Sequence, residues 1–65
     1  MSFVNVEHLA IRVRGEFLEM PGLRLTLSEA QRLWGLEPDV CAQVIELLVN
    51  RAVLRRCGEV ITLAD

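Results

Sequence analysis

The chain has 65 residues, 52% of them apolar, with a net charge of −2 and a pI near 5.3. That is room for one domain, residues 1–65, and no apolar run is long enough for a membrane-spanning helix. The acidic balance argues against a simple polycationic nucleic-acid binder. All seven basic residues are Arg.

A domain this small buries only about 60% of the surface that its unfolded chain exposes. So high an apolar share therefore points to surface that a dimer or another partner would cover. Cys41 and Cys57 lack the spacing of a zinc site or a disulfide framework. They are expected to be reduced thiols, one of them in the core. The first residues do not run from a basic stretch into an apolar one, so no signal peptide is expected. The chain is expected to be cytoplasmic.

The first element is predicted from Asn5 to Met20. Val6, Leu9, Ala10, Val13 and Phe17 recur at spacings of three and four, one face of a helix. Asn5 or Ser2 would cap its start, and Pro21-Gly22 would end it. A second, thinner stripe is Val4, Ile11 and Leu18. Two readings of it stand: the domain wraps it, or it is a helix–helix dimer seam. Leu23-Arg24-Leu25 alternates and reads as a short strand. Thr26 followed three residues later by Glu29 is a capping box. It opens a second helix, Leu27 to Trp34, whose buried face would be Leu27, Ala30, Leu33 and Trp34. Trp34 is expected as a core anchor rather than a stacking platform for a base.

Gly35 breaks that helix, and Glu37-Pro38 starts a third that runs to about Arg51, with Pro tolerated in the first turn. Cys41, Val44, Ile45 and Leu48 form its inner stripe. Asp39, Gln43, Glu46 and Asn50 fall on one outer line. Two helices with a short Gly-containing connection make a helix-turn-helix unit. The tail changes period. Val53-Leu54-Arg55-Arg56 and Val60-Ile61-Thr62-Leu63 are β-prone runs around Cys57-Gly58-Glu59, a hairpin signal. A third strand from Leu23–Leu25 would steady that hairpin. The expected fold is mainly α with a small β-hairpin: three helices plus a two- to three-stranded antiparallel sheet.

Leu25 to Ala30 with Leu33-Trp34-Gly35-Leu36 resembles the second helix and turn of bacterial winged helix-turn-helix domains. Val44 to Val49 followed by Val53 to Arg56 is similar to their recognition helix running into the wing. Glu16 to Thr26 resembles small stand-alone bacterial proteins of this type. The resemblance covers nearly the whole chain. It implies double-stranded DNA as partner, often bound by a dimer, in transcription regulation. On that reading Gln43 and Asn50 would read base edges, while Arg32, Arg51, Arg55 and Arg56 would hold phosphates. Two departures stand out. Ala52 occupies a position where such domains carry Gly. The outer line of the third helix holds two acids and no cation, and those acids would face phosphate. The Arg55–Arg56 pair is either an electrostatic footprint or a charged guard on a strand edge.

The alternative expectation is a protein–protein interaction module on the same scaffold that does not bind DNA. A homodimer through Val4, Ile11 and Leu18 fits either. Catalysis is not expected. His8 has no partner at ligand spacing, Glu16 and Glu19 read as solvated surface, and no phosphate loop or nucleophile motif is present. No cofactor, metal or small-molecule ligand is expected.

Overall fold

The computed structural model describes residues 5–64. Ser2 and Val4, named above as a cap and a seam residue, lie outside them. Three helices and one small antiparallel sheet follow in the order α1 (Val6–Glu19), β1 (Leu25–Thr26), α2 (Leu27–Trp34), α3 (Pro38–Asn50), β2 (Leu54–Cys57) and β3 (Val60–Leu63). The fold is mainly helical, and the layout is consistent with a winged-helix-like arrangement.

Helix boundaries follow local chemistry. The Asn5 side chain accepts the His8 N–H at 3.2 Å, which caps α1. At α2 the Thr26 hydroxyl accepts the Glu29 N–H at 3.2 Å. The Glu29 carboxylate in turn accepts the Thr26 N–H at 2.9 Å, so the capping box is complete. Gly35 ends α2 with φ 61°, and Leu36 N–H donates to the Gln31 carbonyl at 3.1 Å. After α3, Ala52 N–H donates to the Val49 carbonyl at 3.0 Å and Val53 N–H to that of Leu48 at 2.9 Å. That is the Schellman pattern, with Ala52 at φ 61° where Gly is usual.

The strand order is β1-β3-β2. Leu54 to Cys57 of β2 pair with Leu63 to Val60 of β3. The tight turn is Gly58-Glu59, with Gly58 at φ 65° as a turn with Gly in its first central position requires. On the other edge Leu25 and Thr26 pair with Ile61 and Val60. The predicted first strand is therefore shifted. Leu23 N–H still closes the turn onto the Met20 carbonyl at 2.9 Å, and pairing begins only at Leu25.

One cluster forms the core: Ala10, Val13 and Phe17 of α1, Ala30 of α2, Cys41, Val44, Ile45 and Leu48 of α3, and Leu54 and Ile61 of the sheet. Leu33 corrects the expectation for α2, being 56% exposed. At 100° per residue it falls about 100° from Trp34 and leaves the line of Leu27, Ala30 and Trp34. Trp34 is half-buried against the core, its ring 6.0 Å from that of Phe17 at 57°. No described helix is long and apolar enough to cross a membrane.

Candidate interaction surfaces

The outer face of α3 follows directly from its inner one. With Cys41, Val44, Ile45 and Leu48 buried, the 3.6-residue period turns Asp39, Gln43, Glu46 and Asn50 to the opposite side. All four are exposed. The start of α1 lies alongside. Val6 and Glu7 join Ala42, Gln43, Glu46, Leu47 and Asn50 around an open groove of about 440 Å³. Its apolar contributors are Val6, Ala42 and Leu47; its charged ones are Glu7 and Glu46. The two expected base readers, Gln43 and Asn50, thus share one groove with the acids Glu46 and Glu7.

Arg51, expected to hold phosphate, points at α1. Its guanidinium donates to both Glu7 carboxylate oxygens, at 2.7 and 3.3 Å. Glu7 stands in the first turn of α1 and Arg51 caps the end of α3, so each charge suits the helix end that it occupies. The pair is half exposed and contributes at most about 1 kcal/mol. It joins residues 44 apart in sequence, which is why no local pattern pointed to Glu7.

Arg55 and Arg56 are both exposed on β2 but do not make one patch. Successive strand residues face opposite sides. Arg56 shares the side of Leu54 and lines a second groove, of about 330 Å³, with Thr26, Leu27 and Ser28 at the start of α2 and with Gly58, Glu59 and Ile61 of the hairpin. Arg55 points away from it. Arg32, exposed on α2, lines neither groove. No family model, curated protein or solved structure matches this chain.

On α1, Ile11 and Leu18 are exposed, so the described domain does not wrap the second stripe. His8, Glu16 and Glu19 are exposed as well. Cys41 is buried and Cys57 exposed, both as free thiols. Burial pushes the Cys41 thiol pKa up, because a desolvated thiolate is disfavoured.

Proposed function

We propose that this chain is a winged helix-turn-helix domain that acts as a protein-interaction module, docking a basic segment of a partner on the outer face of α3. The acidity of that face carries the reading. Asp39 and Glu46 are exposed on it and Glu7 adjoins it. Arg51, at the end of α3, is paired with Glu7, and the two charges offset each other, so the acidity of the face is that of Asp39 and Glu46. Among the described residues lining the groove none is positively charged. A surface of this sign repels a phosphate backbone and attracts Lys and Arg side chains. The apolar contributors Val6, Ala42 and Leu47 would take the stem of such a side chain, since Lys and Arg lay their methylenes along apolar surface. In this reading the chain is a binder, not an enzyme, and works in the cytoplasm.

DNA binding is the second reading, and one observation favours it. Arg56 lines one groove with Thr26, Leu27 and Ser28 at the start of α2, and helix N-termini and Arg are common phosphate contacts. Gln43 and Asn50 would then read bases, with Arg32, Arg51 and Arg55 as further phosphate contacts.

Fluorescence anisotropy with an Arg-rich peptide and with duplex DNA separates the two. At about 50 mM salt, where phosphate contacts are strongest, the peptide is expected to bind and the duplex not. The paired change Asp39→Asn with Glu46→Gln should weaken peptide binding at least about tenfold. Tight duplex binding that is lost in Arg56→Gln would overturn the proposal and establish the second reading.

A further inference from the structure

Among the described residues nothing covers the outer face of α1. Ile11 and Leu18 are 62% and 52% exposed there, two helical turns apart. Gly15 sits between them on the same side, four residues after one and three before the other. A Cβ built on Gly15 meets nothing within 4 Å, so no contact inside the chain requires a glycine. Gly also weakens a helix interior relative to Ala. Bare backbone flanked by two exposed aliphatic side chains is a surface that a second helix approaches closely.

We infer that this face binds the same face of a second copy, with the two α1 helices antiparallel and crossing at Gly15. The charges of the face select that occupant and that direction. Arg12 and Glu19 lie on one flank, both exposed, and among the described residues the ion pair formed is Arg51–Glu7 alone. A two-fold axis through Gly15 sets Ile11 beside Leu18 of the second copy. It also sets Arg12 within one residue's rise of Glu19 of the second copy, and the symmetry repeats that pair. Such a face is complementary to itself, as a two-fold interface demands. A parallel pairing would instead bring Arg12 beside Arg14 of the second copy. In the antiparallel dimer Arg14 approaches its own symmetry mate on the opposite flank, in solvent, where salt screens the repulsion. One helix face is well below a standard interface of about 1,600 Å², and reversible association in the micromolar range is the expected outcome. The inference rests on α1 and is independent of what α3 binds.

Sedimentation equilibrium on the full chain tests it, with circular dichroism to verify that each variant is folded. Wild type is expected to be a reversible dimer. Gly15→Ala should be at least as stable as wild type when dilute and monomeric, since Ala favours the helix and fits the space. It should nevertheless dimerise about tenfold more weakly. Arg12→Glu and Glu19→Arg should each weaken the dimer, and the two together in one chain should restore it. Wild type that stays monomeric at about 1 mM, a concentration ample for micromolar association, would overturn the inference. So would a Gly15→Ala chain that dimerises as well as wild type, or a double reversal that fails to restore pairing.

Discussion

Ala52 and Gly35 hold the same backbone conformation, φ 61°, at the ends of two successive helices. For Gly this is unstrained; for Ala the left-handed region costs roughly 1–2 kcal/mol. Part of that cost is offset because Ala loses less freedom on folding than Gly. Ala52 is exposed, so a change there disturbs no packing. Ala52→Gly should therefore raise the unfolding free energy by about 0.5–1 kcal/mol, and Gly35→Ala should lower it by about 1 kcal/mol. Urea titration of both variants checks the opposite signs. Ala52 stood out in the sequence because the winged helix-turn-helix domains that the chain resembles carry Gly at that position.

The cysteines are separated by burial. Ellman's reagent should modify Cys57 quickly and Cys41 only on unfolding. The folded pKa of Cys41 lies above its ordinary 9.0. Its contribution to stability is thus complete below about pH 9 and is lost as the pH rises through the folded value, because the unfolded chain releases that proton first. Stability should fall above pH 9 in wild type and less so in Cys41→Ala. An identical alkaline slope in the two would refute this.

At the scale of elements, periodicity and capping were legible and lateral placement was not. The α2 boundaries, Leu27 and Trp34, and the Pro38 start of α3 follow from the capping box, Gly35 and Pro38. The second strand runs Leu54–Cys57 rather than from Val53, because Val53 is still engaged in closing α3. The α1–α3 tie through Glu7 and Arg51 was hidden because it depends on how two helices cross, which no window along the chain encodes. The same holds for the groove: the outer line of α3 could be read from spacing, but Val6 and Glu7 beside it could not. Glu7→Gln and Arg51→Gln should each cost about 0.5 kcal/mol, and the double variant no more than the larger single loss. The coupling between them should shrink in high salt. Additive losses would mean that the ion pair contributes nothing.

For the whole molecule, the sign of charge on each face matters more than the net value of −2. The acids Asp39 and Glu46 stand on the outer face of α3, while Glu7 beside it is paired with Arg51. Arg56 sits across the start of α2, Arg55 on the opposite face of the sheet, and Arg12 and Arg14 on α1. The exposed residues of α3 itself, Pro38–Asn50, include no cation to hold phosphate, which DNA binding through that helix would call for. The most direct measurement is a map of backbone amide chemical shifts of the labelled chain during titration with an Arg-rich peptide and, separately, with duplex DNA. Docking of a basic segment on α3 predicts that the peptide shifts Val6, Glu7 and residues 39–50 while the duplex shifts nothing. Perturbations gathered on Ser28, Arg56 and Glu59 with duplex DNA, and an unmoved α3 with peptide, would contradict it.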